Sequence, residues 1–227
     1  MRISIHQPAY LPWLGYLEKI AQSDVFVFLD TVQFEKNSFT NRNQINSTSG
    51  PIWLTVPVVS KGHIGKPLSQ LQIADGQPWA RKHIASLQAS YRKAPSYSRF
   101  SEQIEATIRT DTDLLADLCF EQLCVLAELF ELETKIVKAS TLNLRSRKSD
   151  LILEICTELG ATHYLSGTHG RDYLELEAFD KNGIDVAFQS FSTPQYSQIH
   201  GDFIPNLACV DYLFNLSVDQ SPAALFA

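Results

Sequence analysis

A Rossmann-like α/β domain is the fold the sequence predicts: a mostly parallel sheet with helices on both faces, carrying a β-hairpin and a helical insert. The chain opens with strand, turn, helix and strand inside about thirty residues, the span of a βαβ unit. The same alternation returns from Lys135 onward, which favours a parallel sheet. Runs such as Val25-Phe26-Val27-Phe28-Leu29 are continuously apolar, as expected of strands covered on both faces.

Arg2 to Gln7 reads as the first strand, and beyond Pro8 the residues Leu11, Leu14, Leu17 and Ile20 recur every three positions as one helix face. Pro12 falls where a first helical turn tolerates proline. Asp24 and Asp30 bound the second strand. Residues 32–75 have a different texture, with polar FEKNSFTNRNQI, a turn at Asn46-Ser47-Thr48-Ser49-Gly50-Pro51 and the β-like Ile52 to Val58, which together predict a hairpin. Lys61 to Pro67 reads as a mobile loop and Leu68 to Ile73 as a further short strand. Residues 77–131 are mainly helical, broken near Pro95-Ser96, and Leu114, Leu115, Leu118, Leu123, Leu126, Leu129 and Phe130 give the longest helix a wide apolar face. Then follow a strand at Lys135 to Ala139, a helix at Ser149 to Leu159 capped by Ser149 and ended by Gly160, strands at Thr162 to Ser166 and Asp185 to Phe191, and a helix at Asn206 to Asn215. No internal repeat or low-complexity tract interrupts this order, and residues 1–227 read as a single domain.

Bulk properties narrow the functional classes. The 227 residues hold 19 Lys and Arg against 25 Asp and Glu, a formal charge of −6, which opposes phosphate-backbone affinity and argues against nucleic acid as a partner. No apolar run approaches the ~18 residues of a membrane span. His6, Gln7, Pro8 and Pro12 break any secretory signal at the start, so a cytoplasmic protein is expected. The four cysteines have neither disulfide-framework nor CxxC spacing, and buried free thiols are expected. HExxH, GxSxG, Walker A and zinc spacings are absent. No metal site and no cofactor is indicated.

Ligands of such sheets bind beyond the carboxyl ends of the strands, where three constellations fall. His6 and Gln7 close the first strand just before a helix, with Tyr10 following; an imidazole there suits acid/base work or an anion contact. Asp30 closes the second strand and is placed to orient a base, while Lys36, Asn41 and Arg42 on the hairpin offer anion ligands, Arg through its fork. Ser166, Gly167, Thr168, Gly170 and Arg171 follow a later strand as a glycine-containing turn able to cradle phosphate. The plainer alternatives are a core histidine with both nitrogens satisfied, a solvated hairpin edge and an ordinary turn.

The stretches HQPAYLPWLGYLEKIAQSDVFVFLDTVQFEKNSFTNRNQI, WLTVPV, YLSGTHGRDYL and YSQIHGDFIPNLACVDYLFN, in that order, resemble the WbqC-like protein family over nearly the whole chain. The family name implies an association with bacterial surface-polysaccharide gene clusters. The layout of the first βαβ unit is also similar to nucleotidylyltransferases of the HIGH type, though Trp13-Leu14-Gly15-Tyr16 stands where their paired histidines would contact the triphosphate. The resemblances imply a bacterial transferase of surface-polysaccharide (O-antigen-type) biosynthesis that binds a nucleotide or nucleotide-sugar and moves an acyl, aminoacyl or nucleotidyl group. In that reading His6 and Asp30 are catalytic, and Gln7, Tyr10, Lys36, Asn41, Arg42, Ser166, Gly167, Thr168, Gly170 and Arg171 bind the ligand. The alternative is a non-catalytic binding or adaptor protein of glycan assembly.

Overall fold

The computed structural model describes residues 1–226. Five parallel strands form the main sheet: β1 (Arg2–His6), β2 (Val25–Phe28), β5 (Lys135–Lys138), β6 (His163–Ser166) and β7 (Asp185–Phe188), in the spatial order β5-β2-β1-β6-β7. The chain starts in the middle, runs outward to one edge, then crosses to the other side of β1. That reversal between β1 and β6 is the topological switch point, the place where open α/β sheets form a crevice. The antiparallel pair β3 (Arg42–Ile45) and β4 (Ile52–Thr55) makes a separate hairpin.

Alternation along each strand divides the core between two faces. Ile3, Ile5, Val25 and Val27 pack under α5 (Lys148–Glu158) and α6 (Leu176–Lys181) with Ile152, Ile155 and Phe179. Phe26 and Phe28 point the other way, into a larger core shared with α1 (Leu14–Ala21), α2 (Trp79–Tyr91), α3 (Tyr97–Ile108), α4 (Leu115–Leu129) and α7 (Cys209–Asn215). The helical segment is therefore one wall of the sheet, and the Phe28 and Phe120 rings meet edge to face at 5.3 Å. No helix of the described residues is long and apolar enough to cross a membrane. The four cysteines are unpaired, three of them buried.

Several elements differ locally from the sequence reading. Leu68 to Ile73 is a short 3-10 turn at Leu68–Gln70, followed by an isolated bridge from Ile73 to Val58, because the backbone bonds of this stretch are spread over Val32, Asp30 and Asp113 rather than one partner strand. Ser149 is not a cap: α5 starts at Lys148, and the Ser149 hydroxyl accepts from the Glu175 amide at 2.9 Å. Pro12 lies before α1, whose first residue is Leu14. Residues 206–208 precede α7 outside the helix, Asn206 in a left-handed conformation at φ 60° and Ala208 bridged to Trp13.

A buried carboxylate fastens the last polar loop. Asp211, fully buried on α7, accepts from the Tyr91 hydroxyl at 2.6 Å, the Tyr196 hydroxyl at 2.8 Å and the Gln198 amide at 2.9 Å. Burial pushes its pKa up, opposed by these bonds. The stretch Tyr196 to Ile204 is thus packed against α7 and α2, with His200 Nε2 donating to the Ser90 carbonyl at 2.7 Å. Asp211→Ala would leave the buried Tyr91 hydroxyl and the half-buried Tyr196 hydroxyl without this acceptor, while Gln198 keeps the Ile204 carbonyl, and a loss of about 1 to 3 kcal/mol is expected, read as a lower urea midpoint; an unchanged midpoint would show the network to be dispensable.

Candidate functional site

The carboxyl edge of the sheet is built around a loop held from several sides. Between β1 and α1, the Tyr10 amide donates to the Phe39 carbonyl at 3.0 Å and the Cys209 amide to the Pro12 carbonyl at 2.8 Å. The Gln122 side chain accepts from the Leu11 amide and Asn43 donates to the Leu11 carbonyl. Leu11 is fully buried at φ 42°, a left-handed conformation costing about 1 kcal/mol or more in a residue with a side chain, which persists only because its surroundings impose it.

His6 is partly buried at the end of β1, edge-on to Tyr16 (centroids 4.8 Å) and Trp13 (5.5 Å). Its Nδ1 lies 3.0 Å from the Gln7 carbonyl. A carbonyl only accepts, so Nδ1 carries the proton and Nε2 holds a lone pair. Desolvation, aided by the positive charge of Lys19, lowers the His6 pKa to about 4, so the ring is neutral at physiological pH. The Gln7 carbonyl also accepts from the Tyr16 hydroxyl at 3.1 Å, which fixes the acceptor that orients the imidazole.

Lys19 stands beneath this edge. Its side chain rises from α1 to donate to the Ile5 carbonyl at 2.8 Å, although the residue is only 2 % exposed. A Cβ added to Gly167 would stand 3.9 Å from the ammonium nitrogen. Lys19 therefore occupies the gap between β1 and β6, whose ladder ends at Ser4 and Leu165. Burial lowers its pKa to about 7. The ion pairs among the described residues do not include it. Neighbouring Glu18 is engaged by Gln189 and Gln22.

A model of the WbqC-like protein family matches residues 7–222. The chain belongs to the WbqC-like protein family. Its sequence is similar to that of the uncharacterized protein Rv1507c of Mycobacterium tuberculosis, 28% identical over 223 residues that cover 96% of this chain and 95% of that protein. No solved structure matches it.

In this WbqC-like chain the predicted site residues separate into two groups. His6, Gln7, Gly167, Thr168 and Arg171 lie on or beside the switch-point edge, Thr168 and Arg171 exposed and the Arg171 guanidinium 4.1 Å over the Phe188 ring. Phe39 and Trp53, each nearly half exposed, continue a line of rings outward from Trp13 at 5.4 and 6.0 Å spacings. Arg42 flanks that line, 4.3 Å over Trp53 and bonded to the Asn37 carbonyl at 2.8 Å, with its Nε buried and unpartnered. Lys36 is exposed on the same hairpin loop.

The other expected site residues serve the scaffold. Both Asp30 oxygens are taken by Ser140, from its amide at 2.9 Å and its hydroxyl at 2.6 Å, so Asp30 ties β2 to the turn after β5 instead of backing His6. Tyr10 is fully buried, hydrogen-bonded to His83 at 2.8 Å. Asn41 extends the hairpin, its amide donating to the Val56 carbonyl at 2.8 Å. Ser166 is buried with its hydroxyl beneath Gly170, where an added Cβ would come within 2.0 Å of Oγ. Glycine at 170 thus makes room for a serine, not for a ligand. Lys19 is the residue that pattern reading passed over; its signal is a lysine four residues after Gly15 and three after Tyr16, on a helix face that is otherwise buried.

Two pockets lie elsewhere, one lined by Asp24, Phe130, Glu133 and Phe226 and one by Tyr196, Tyr212 and Gln220. The first opens at the amino end of β2 and the second beside α7, so neither carries the groups just described.

Two outcomes are expected. Gly170→Ala should destabilise the fold by about 1 to 3 kcal/mol through overpacking, and Ser166→Ala in the same chain should recover much of it; additive losses in chemical denaturation would contradict the contact. His6 and His83 both have pKa values lowered to about 4 by burial. The unfolded chain binds their protons first, so stability is lost as pH falls from ~6.5 toward 4. His6→Gln should shrink that acid-side loss, measured as urea midpoints at pH 7 and pH 4.5.

Proposed function

We propose that the protein is a transferase of bacterial surface-polysaccharide biosynthesis that binds a nucleotide or nucleotide-sugar at the switch-point crevice and passes an acyl or aminoacyl group to an amine or hydroxyl of the sugar. The observation that carries the reading is the His6 tautomer: with Nδ1–H held by the Gln7 carbonyl, Nε2 is a bare acceptor at the strand end. As the acceptor nitrogen or oxygen bonds to the acyl carbon, Nε2 takes its proton; as the bond from that carbon to the leaving group breaks, the same proton passes to the leaving group. Gln7 and Tyr16 keep the ring aimed. Trp13, Phe39 and Trp53 offer flat apolar faces suited to a nucleobase or sugar ring, with Arg42 beside them. Nucleotidyl transfer is the less favoured reaction, since Trp13 and Tyr16 stand where HIGH-type enzymes use histidines.

A second reading, a ligand-binding or adaptor protein without turnover, draws on one specific fact: Ser140 occupies both oxygens of Asp30, the carboxylate nearest in sequence logic to a His6 partner.

Incubation of purified protein with nucleotide-linked amino sugars and acyl or aminoacyl donors, followed by mass spectrometry, tests the transferase. Product formation should fall ~10²- to 10⁴-fold in His6→Ala, and the wild-type pH profile should carry a loss as pH approaches 4, where His6 gains a proton, that the profile of His6→Ala lacks. Full activity in His6→Ala would remove the base from the mechanism, and unimpaired cellular function of that variant would favour the adaptor.

A further inference from the structure

We propose that Lys19 is the buried anion anchor of the crevice, contacting a phosphoryl oxygen of the ligand through the opening at Gly167. The inference rests on the nucleotide-binding reading above and adds to it the residue and the ligand group. Its basis is geometric. The β1–β6 ladder stops at Ser4 and Leu165, and the Lys19 ammonium lies in the resulting gap, held by one bond of 2.8 Å to the Ile5 carbonyl. An ammonium has three donors, so two remain for a ligand. The residue is 98 % buried, since only 2 % is exposed, and a buried charge without a counter-charge is costly. A single neutral carbonyl supplies only part of the compensation. An arriving oxyanion would supply the rest.

The surroundings favour an anion there. Groups facing the Lys19 ammonium are the Ile5 carbonyl and the neutral His6 ring on β1, and Gly167 after β6. On α1 itself the Glu18 carboxylate is bonded to Gln22 and Gln189. Beyond Gly167 the turn Thr168–Asp172 carries the exposed Arg171, a second cation, together with His169 and Asp172, which face each other at 3.6 Å. Gly167 matters as an aperture. Its φ of −70° and ψ of 166° suit any residue, so the backbone does not demand glycine, and a side chain would instead project toward the ammonium. A phosphoryl group carries more charge than a carboxylate and suits a buried ammonium with two free donors.

The test is calorimetric titration of the full chain with inorganic pyrophosphate at pH 8 in two buffers of different ionisation enthalpy. Lys19 has a pKa of about 7 when free, so it is mostly neutral at pH 8 and must gain a proton as the anion binds. Wild type is expected to bind with uptake approaching one proton. Lys19→Met should bind at least tenfold more weakly with that uptake lost, while the variant stays folded. Gly167→Val should weaken binding similarly, and it decides the matter if Lys19→Met fails to fold. Unchanged affinity in the folded Lys19→Met or in Gly167→Val, no binding by wild type, or tighter binding of acetate than of pyrophosphate would overturn the proposal. Transfer activity without pyrophosphate binding would sink the anchor and leave the reaction; Lys19-dependent pyrophosphate binding with no transfer from any donor would sink the reaction and leave the anchor.

Discussion

The divergence of β1 from β6 is the constraint on which the rest depends. Parallel neighbours exchange backbone bonds only while they stay adjacent, and here the exchange ends at Ser4 and Leu165. On its other side β1 continues to pair with β2 through His6. The last turn of β1 is thus anchored on one flank and open on the other. An unmatched carbonyl, that of Ile5, faces the gap, and a buried polar group must find a partner. Lys19 supplies it. Ser4 and Ser23 complete the joint, both hydroxyls donating to the Lys19 carbonyl, so that α1 is fixed against β1 by polar bonds as well as by Leu17 and Ile20.

The loop above this joint is stiff for a reason that is partly energetic and partly geometric. Leu11 sits in a left-handed conformation, and the cost is offset by the surrounding bonds from Gln122 and Asn43 and by complete burial. The result is a fixed position for Trp13, and through it for His6 and Tyr16. The hairpin contributes differently. Phe39 and Trp53 stay nearly half exposed, while the buried Asn43 amide ties the hairpin to the Leu11 carbonyl and Asn41 extends the hairpin's own bonding to Val56. Rigid backbone beneath exposed rings makes a surface on which a flat ligand can settle at small entropic cost.

Charge and burial act together at the site. The His6 ring is kept neutral first by desolvation and second by Lys19, and Lys19 in turn is depressed by the same low-dielectric surroundings. Neither group has a carboxylate to compensate it, because Asp30 is spent on Ser140 and Glu18 on two glutamines. This edge therefore presents donors and a lone pair with no carboxylate bonded to either group.

The opening stretch IHQPAYLPWLGY is located by its order in the chain. A strand ending in His6-Gln7 and followed by proline and an aromatic-rich helix lies at the carboxyl edge of any parallel sheet, and there the structure holds it. The five strands, both coverings of the sheet and the hairpin were legible for the same reason: apolar periodicity and turn chemistry are local properties of the chain. What no local pattern specifies is which side chains meet across the fold. Asp30 and His6 end adjacent strands, yet the carboxylate turns to Ser140, 110 residues away in sequence. Tyr10 looked like a ligand contact and is consumed by His83, and Ser166 and Gly170 fit each other instead of a phosphate. No local pattern singles out Lys19, because only the crossing of the chain from one side of β1 to the other creates the gap it fills. The sequence determined the sheet, its edge and the histidine at that edge; the tertiary structure alone decided which polar groups are spent on the scaffold and which remain free, since that depends on contacts between residues far apart in the chain.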